Sequence, residues 1–387
     1  MIEGSGVEIE EVPLGSNKMK QFAGLPWKIY KGNPHWVPPL KAELMGSWLM
    51  GSKGLLTPDH PCHQKVEVTH FLAWRGTEVV GRVAAFVHRH PSPTEEPFGG
   101  FGLFEVIDDE DIGRALLDQA RHWVSAKGGR RIRGPLSYSM IAFNQGLLVK
   151  GFDTRSMLGT VYNHPYYARI IEGFGFRKVK DYFSCILDRE AVGKMPRVGG
   201  QHKRSEIEIQ TRPINLKDLK SEVEIFTKIY NDAWSKNWGV SSISEADVNT
   251  VLSTLRFVID PGLIRVAFAN GEPAGVIGLV PDPNYLLTQR GSWFGNLDLV
   301  RIARLSLMGR RIPDLRTLFF GIRPAFRRQG ISSRLINELL EYGIRQPHYQ
   351  HLEGSFYLED NANIIALMEL VGCRIYKTWR VYEMEAV

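Results

Sequence analysis

The chain has 387 residues, of which 43% are apolar and 23% are charged. This length exceeds that of a typical single hydrophobic core, so we expect a globular protein with two domains. No apolar run approaches the roughly 20 residues that span a bilayer, so we expect no membrane span. The formal net charge of +6 is compatible with an anionic ligand and also with weak nucleic-acid contact.

The N-terminus and the cysteines both favour a cytoplasmic location. Residues Met1–Gly4 are acidic and lack the apolar core of a signal peptide. Cys62, Cys185 and Cys373 lie far apart in the sequence. This spacing favours a reducing compartment over a disulfide framework.

The first half contains a short cluster of histidine and cysteine residues that could bind a metal. His60, Cys62 and His63 lie close together, with His70 beyond them. Their spacing matches no common zinc pattern, and no second Cys/His pair lies near in sequence. We therefore expect a polar surface loop and no metal.

Further along, the first half predicts a hairpin, a strand and a helix. Phe71–Gly81 has the pattern of strand, turn and strand, and Gly102–Ile107 that of a central strand. Ile112–Lys127 predicts a helix, because apolar residues recur at helical spacing. Four carboxylates, Asp108–Asp111, precede this helix, where they stabilise the positive end of its dipole.

Two pairs of similar segments along the chain indicate an internal repeat. Gly175–Tyr182 resembles Gly372–Trp379, and Phe71–Gly81 resembles Arg265–Gly275, at nearly equal spacings. Between the copies lies a Gly/Pro/basic stretch without apolar periodicity, which predicts a linker. We interpret the chain as two copies of one mixed α/β unit. The expected boundaries are residues 1–192 for the first domain, 193–205 for the linker and 206–387 for the second domain.

The second half repeats this order of elements with clearer signals. Leu216–Ser235 predicts a helix, and Asn270-Gly271 is a strong turn signal inside a hairpin over residues 263–280. The remaining elements predicted, in order, are a central strand and helix over 316–345, a strand over Leu352–Leu358, a helix from Asn361 and a strand from Arg374.

The most informative segment is Gly321–Leu335, where a strand leads through a short basic turn into an amphipathic helix. Backbone N–H groups and the positive helix end converge at such a turn, which suits a phosphate or pyrophosphate. Gly330 lets the backbone approach the anion, since no Cβ stands in the way. Arg327 and Arg328 add positive charge. The alternative is a solvated basic turn.

These residues carry a resemblance to a known family. Arg327-x-x-Gly330-x-Ser332 resembles the R/Q-x-x-G-x-G/A signature of the GNAT superfamily of acyl-CoA-dependent N-acyltransferases, with Ser at a position that is usually Gly or Ala. Asn361–Cys373 is similar to the superfamily's N-x-x-A-x-x-L-Y-x-x-x-G-F segment, although Met368 stands at the usual tyrosine. The resemblance implies two tandem GNAT-like domains, each a twisted, mostly antiparallel mixed sheet flanked by helices.

The resemblance also implies that the two domains differ in function. Where the second has Arg327–Gly330, the first has Asp108–Asp111, and like charges repel a pyrophosphate. The first domain is therefore expected to be degenerate. Its motifs are similar to those of a bacterial group of tandem GNAT-like proteins without an assigned substrate. These motifs are Asn33–Leu40, Gly81–Ala85, Gly134-Pro135, Gly151–Asp153 and Tyr162–Tyr167.

For the cofactor, the resemblance implies acetyl-CoA or another acyl-CoA in the second domain. The pantetheine arm is expected to add to the sheet edge beside the central strand, and Asn361 to contact the CoA arm. The pyrophosphate is expected at the turn. The residues implied are Phe320, Gly321, Ile322, Arg327, Arg328, Gln329, Gly330, Ile331, Ser332 and Ser333.

The strand over Leu352–Leu358 offers candidates for a general base. By the period of two, Glu353, Ser355, Tyr357 and Glu359 share one face. We favour Glu353, then Glu359 or Asp360, although each could be an ordinary solvated carboxylate. Met368 cannot donate a proton to the leaving thiolate. The tyrosines that could substitute for it are Tyr357, Tyr376 and Tyr382.

The acceptor is expected to be an amine on a small molecule or peptide. Trp234–Gly239 could line its site or be an aromatic clamp, and Ser137–Gly146 could line a pocket or be plain surface. The arginine-rich segment from Arg301 to Arg316 could touch a membrane or nucleic acid, but we expect a surface helix beside the CoA site. We expect no specific nucleic-acid partner, and the oligomeric state stays open.

Two other functions remain as alternatives to an N-acyltransferase. One is a non-catalytic CoA-binding or interaction module, favoured by Met368 in place of the tyrosine. The other is an aminoacyl-tRNA-dependent transferase of the tandem-GNAT type, which would not need the Arg327–Ser332 loop.

Overall fold

The computed structural model describes residues 6–47, 53–89, 98–139, 145–195, 197–198, 207–235, 237–240, 242–255, 257–288 and 297–387. Two compact units form. The first contains Met1–Tyr182, Leu287–Asp298 and Lys377–Val387, and the second contains Phe183–Leu286 and Leu299–Tyr376. The sequential division at residues 193–205 stays a prediction.

The first half of the chain forms seven strands and five helices in its described part. They are β1 (Val7–Glu11), α1 (Met19–Ile29), α2 (Lys41–Met45), β2 (Val66–Arg75), β3 (Glu78–His88), β4 (Phe98–Val106), α3 (Glu110–Ala126), β5 (Arg131–Gly134), β6 (Leu147–Lys150), α4 (Tyr166–Phe174), β7 (Arg177–Asp188) and α5 (Arg189–Lys194).

The second half forms six strands and six helices in its described part. They are β8 (Ile209–Pro213), α6 (Leu219–Ala233), α7 (Glu245–Leu255), β9 (Ile264–Ala269), β10 (Glu272–Pro281), α8 (Asn284–Leu287), α9 (Asp298–Met308), β11 (Asp314–Ile322), α10 (Ile331–Arg345), β12 (His351–Leu358), α11 (Ala362–Leu370) and β13 (Arg374–Glu385).

The sheet of the first unit is buried on both faces. Strands β1 to β4 pair antiparallel in order, and β4 pairs parallel with β5. Successive residues of β3 belong to opposite cores: Val83 packs in the core that includes α3 and α4, and Ala84 in the core that includes α1. This double burial explains why β3 is almost continuously apolar.

The second unit repeats this plan. Strands β8 to β11 pair antiparallel, and β11 pairs parallel with β12. On β10, Ile277 packs with α10 and Val276 packs with α6 on the opposite face. The hairpin turn predicted at Asn270-Gly271 is present, with φ of 49° and 81°. The mixed sheet flanked by helices that the sequence predicted is confirmed.

Two parts of the second half differ from the predicted order. A strand, β8, precedes the first helix, and its half-exposed edge position explains its weak sequence pattern. Two helices, α8 and α9, are inserted between β10 and β11. The sequence predicts no helix at α8, whereas α9 overlaps the segment from Arg301 to Arg316, for which it predicts a surface helix. Within the residues that the structure describes, no helix is long and apolar enough to cross a membrane.

Two expectations about cysteine and histidine were wrong. Cys185 and Cys373 form a disulfide inside the second unit, although 188 residues separate them in sequence. His60 and Cys62 are buried in a 3₁₀ turn rather than lying in a polar surface loop. The Cys62 side chain packs in the hydrophobic core around α1. The polar residues next to it in the sequence gave no indication of this burial.

His70 predicts a measurable pH dependence of stability. Its ring is fully buried, with Nε2 3.2 Å from the Tyr138 hydroxyl, and burial lowers its pKa to about 3. The unfolded chain takes up this proton below about pH 6.5, so stability should fall as the pH drops from 7 to 5, by about 2 kcal/mol. His70→Gln should remove this component from urea denaturation measured across that range. The same change at exposed His122 should keep it, and an unchanged profile in His70→Gln would contradict the assignment.

Candidate functional site

The candidate site begins where the pairing of β11 with β12 ends. The parallel register joins only Asp314, Leu315 and Arg316 to their three partners, of which the last is Glu353. In the described chain β11 then continues to Ile322 and β12 to Leu358 without further pairing to each other. Residues Phe320, Gly321 and Ile322 remain bonded to β10 on their other side. Their free edge can accept an extended ligand as an added strand.

This open edge leads directly to the start of α10. Gly330 occupies the N-cap position at a φ of 80°, a left-handed conformation that glycine adopts without steric cost. Because Gly330 has no side chain, it cannot cap the helix, and the first-turn N–H groups are aimed toward the turn. The arrangement provides the backbone donors and positive helix end that bind a phosphate.

The arginines of the turn have different surroundings. The Arg327 guanidinium donates to the carbonyls of Ile322 (3.1 Å) and Ala233 (3.0 Å), so it ties the end of β11 to the end of α6. Arg328 is exposed, has a φ of 65° and forms no hydrogen bond or ion pair with any described residue. Of the two, Arg328 is the cation available to an anion.

The remaining residues of the predicted pyrophosphate site lie in the same turn. Ile331 is buried in the core beneath α10, so only its backbone faces the turn. Gln329, Ser332 and Ser333 are half-buried there. The structure therefore brings the sequence-predicted turn residues together at one helix end.

A buried charged cluster lies at the last β11–β12 pair. The side chains of Arg316 and Glu353 are 2% and 0% exposed, and Nη1 of the arginine lies 3.5 Å from Oε2 of the glutamate. The Glu353 carboxylate also accepts hydrogen bonds from Tyr376 (2.5 Å) and Ser355 (3.1 Å). Glu353 is thus not the solvated carboxylate that local sequence also allowed.

Two donor atoms of this cluster form no hydrogen bond with any described residue. They are Arg316 Nε and Nη1, and both are buried. Burial, followed by the charge of Glu353, raises the pKa of Tyr376 well above its ordinary value. The phenol therefore stays protonated near neutral pH, and its O–H donates to the Glu353 carboxylate.

The other candidates for proton transfer lie elsewhere. Glu359 follows the end of β12 and is half-buried, outside the Glu353 cluster. Tyr357 is buried, its ring packs against Phe183, and burial raises its pKa. Tyr382 belongs to the first unit, where its hydroxyl donates to Glu172.

Helix α11 borders the same strand. Asn361 caps it, because its side-chain oxygen accepts a hydrogen bond from the N–H of Ile364. Met368 packs against β12 so closely that a Cβ at Gly354 would lie 3.0 Å from its sulfur. The residue at the usual tyrosine position thus packs beside Gly354, the residue that follows Glu353, but it offers a thioether, which cannot protonate a thiolate.

The predicted acceptor segments are only partly described. Trp234 lies over Gly321, where a Cβ would be 2.2 Å from the indole ring, and it stacks on Tyr230. This supports the aromatic-clamp interpretation for Trp234. Lys236 of that segment, and residues 140–144 of the first-domain loop, lie outside the described residues.

The corresponding place in the first unit is already filled. Asp109 caps α3, and its carboxylate accepts from the N–H groups of Asp111 and Ile112. Beside β4, the N–H of Leu136 donates to the carbonyl of Phe101 at 2.8 Å, and its own carbonyl would collide with a Cβ at Gly102. The chain itself therefore occupies both the helix start and the strand edge.

A buried cluster in the first unit was missed by sequence reasoning. The Glu105 carboxylate accepts from Tyr30 (2.7 Å) and Tyr167 (2.8 Å) and lies 3.9 Å from Arg82. Burial raises the pKa of Glu105, although Arg82 opposes the shift. Tyr30 also stacks between two further rings, Trp36 and His164. Three of the first-half motifs, Asn33–Leu40, Gly81–Ala85 and Tyr162–Tyr167, contribute residues to this cluster. The aromatic residues in two of these motifs were the sequence signal that could have indicated it.

Comparisons with known proteins agree with this geometry. A model described as the Acetyltransferase (GNAT) family matches residues 223–372. A solved tandem GNAT protein from the clavulanic acid biosynthesis pathway has the same fold, with a TM-score of 0.54 and 15% identity over 98% of this chain and 99% of that one. The chain therefore has the fold of a tandem GNAT protein, and residues 223–372 of its second half match the GNAT acetyltransferase family.

Two curated relatives align with nearly the whole chain. The bacterial ceramide synthase of Caulobacter vibrioides (strain NA1000 / CB15N) is 29% identical over 403 residues, covering 98% of each protein. Protein YghO of Escherichia coli (strain K12) is 27% identical over 378 residues, covering 96% of this chain and 94% of the relative. The similarity thus includes both halves of the chain.

The close approach of Trp234 to β11 generates a stability prediction. Gly321→Ala should destabilise the protein by roughly 1–3 kcal/mol, because the added methyl overlaps the indole ring. Gly343→Ala in α10 is the matched control. No atom lies within 4 Å of its added methyl, so it should be neutral or stabilising. Urea denaturation of both variants tests this, and equal stabilities would show that Trp234 does not pack on the strand.

Proposed function

We propose that the second domain transfers an acyl group from acyl-CoA, acetyl-CoA being the simplest donor, to a primary amine. The observation that carries the proposal is the open edge of β11, which leads to a helix start whose N-cap position is occupied by Gly330. An extended pantetheine arm can pair with Phe320–Ile322, and its pyrophosphate can then reach the start of α10. Arg328 supplies the unpaired positive charge, and Asn361 lies at the start of the neighbouring helix.

Glu353 is the residue we propose as general base. The amine nitrogen forms a bond to the thioester carbonyl carbon, the carbon–sulfur bond breaks, and the amine loses a proton. Glu353 stands at the last strand pair, and its carboxylate can take that proton. Arg316 and Tyr376 both hold the carboxylate in place, and for Arg316 we regard this positioning as its main role.

The leaving thiolate needs a proton that Met368 cannot give. Tyr376 is a protonated phenol beside Glu353, and it is the donor we propose, with solvent as the other source. Arg316 Nη1 lies beside the Glu353 carboxylate, and its positive charge would favour negative charge that develops on a thioester oxygen bound next to this cluster.

One of the two relatives supports a narrower choice of acceptor. A ceramide is an N-acylated long-chain amino alcohol, so the name of the Caulobacter relative is in line with amine acylation. We therefore propose a long-chain amino alcohol as the first acceptor to test, and a long-chain acyl-CoA beside acetyl-CoA as donor. Short peptide and small-molecule amines complete the panel.

Calorimetric titration with acetyl-CoA and long-chain acyl-CoA tests the donor site. Wild-type protein should bind at one site per chain, and Gly330→Glu should weaken binding at least about tenfold, because its carboxylate repels the pyrophosphate. Gly271→Glu is the matched control, since it adds the same charge at a φ of 81° but at the tip of a hairpin. It should bind like the wild type.

Two results would contradict the donor site. The first is wild-type protein that binds neither CoA nor any acyl-CoA. The second is equal weakening in the Gly330 and Gly271 variants, which would trace the loss to backbone strain. Binding without turnover on the amine panel would instead favour the non-catalytic module.

Glu353→Gln tests the base. The amide keeps the size and hydrogen-bond acceptor but not the basicity, so kcat should fall by roughly 10²–10⁴ while acyl-CoA affinity is kept. Exposed Glu341→Gln should change neither quantity. Circular dichroism establishes that the variant folds, and Tyr376→Phe, which perturbs the cluster less, should lower kcat to a smaller extent. If Glu359→Gln loses activity while Glu353→Gln retains it, the base is Glu359.

A further inference from the structure

Helix α9 (Asp298–Met308), in the insertion between β10 and β11, buries a charged side chain and exposes apolar ones. Arg301 and Leu305 face inward and are 1% and 3% exposed. Leu299 and Leu307 face outward and are 65% and 83% exposed. A surface helix ordinarily buries its apolar stripe and exposes its charges.

The outward residues form a continuous line. Leu299, Ala303 and Leu307 are spaced by four residues, so they lie one above another on a single face, and all three are exposed. Met308 follows Leu307 at the end of the helix and is 44% exposed. We call Leu299, Ala303, Leu307 and Met308 the leucine stripe. Exposing such a stripe to water is unfavourable, which indicates that another apolar phase covers it.

Two cations follow the stripe immediately. Arg310 and Arg311 lie in the 3₁₀ turn after α9, both exposed, and neither forms an ion pair or hydrogen bond with any described residue. Arginines bordering an apolar helix face match a bilayer with anionic headgroups, because the leucines enter the acyl boundary while the guanidinium groups meet phosphate.

The charges and the size of the stripe decide between possible occupants. A nucleic acid would use the arginines but leave the leucines exposed to water. A stable protein interface buries roughly 800 Å² on each side, more than four side chains of one helix supply. Insertion into a lipid surface needs only a few apolar side chains with adjacent cations.

We propose that the leucine stripe together with Arg310 and Arg311 docks this protein on an anionic lipid surface. The stripe lies in the second unit, and α9 leads through the Gly309–Arg311 turn into β11, whose third residue is Arg316. Docking would thus hold at a membrane the segment that enters the paired end of β11, the strand whose other end carries the open edge at Phe320–Ile322, and a lipid-soluble amine would be concentrated at that membrane. The docking itself does not depend on acyl transfer.

The test is flotation of purified full-length protein with vesicles of phosphatidylglycerol and phosphatidylcholine, beside vesicles of phosphatidylcholine alone. No acyl-CoA or amine is present, so the result is independent of the proposed activity. Wild-type protein should bind the anionic vesicles and bind them less at high salt. Leu307→Ser should lower the partition coefficient roughly tenfold or more at any salt concentration.

Two further variants separate the contributions. Arg310→Gln combined with Arg311→Gln should lower binding at low salt and remove most of the salt dependence. Leu370→Ser is the matched control, because Leu370 is 60% exposed in the same unit but follows acidic Glu369. It should bind vesicles like the wild type.

Three outcomes would overturn the proposal. One is wild-type protein that does not float with anionic vesicles. Another is binding that Leu307→Ser leaves unchanged and that RNA displaces, which would indicate a polyanion site. The third is a change of oligomeric state in Leu307→Ser, measured by light scattering, which would make the stripe a contact between copies of the chain.

Discussion

Parallel pairing of β11 with β12 over only three residue pairs is the constraint on which the second domain's site depends. A longer ladder would satisfy the backbone groups of Phe320–Ile322 internally, and no edge would be left for an extended ligand. The last of the three pairs joins Arg316 to Glu353, and the side chains of these two residues also form the buried charged contact. Two buried charges at this point are costly unless they hold each other, so removing either should disturb the place where the strands cease to pair.

The two units show how one fold can keep or lose this site. Both contain a parallel pair of three residues beside a long strand. In the first, Leu136 bonds to the free strand edge and Asp109 caps the following helix. In the second, the edge stays open and Gly330 leaves the helix start to a ligand. Small local differences therefore separate a packing unit from a candidate donor site, without any change of architecture.

Much of the second half could be predicted because its signals are local. The hairpin at Asn270-Gly271 depends on two residues that tolerate positive φ, and the start of α11 depends on the cap made by Asn361. Helix α10 follows from apolar residues at helical spacing. The inserted helices α8 and α9 were harder, because α9 exposes its leucines and buries Arg301, which inverts the pattern on which prediction relies.

The sequence by itself determined the mixed α/β class, the internal repeat and the glycine-bearing turn before α10, since each is encoded within short segments. Only the tertiary structure decided that Glu353 is buried with Arg316 and Tyr376, that Cys185 meets Cys373, and that the first unit fills its own strand edge. These contacts join segments tens to hundreds of residues apart. The free energy that stabilises these contacts comes from desolvation and packing in the folded core. A short segment of sequence does not specify which distant side chain will lie in the same environment.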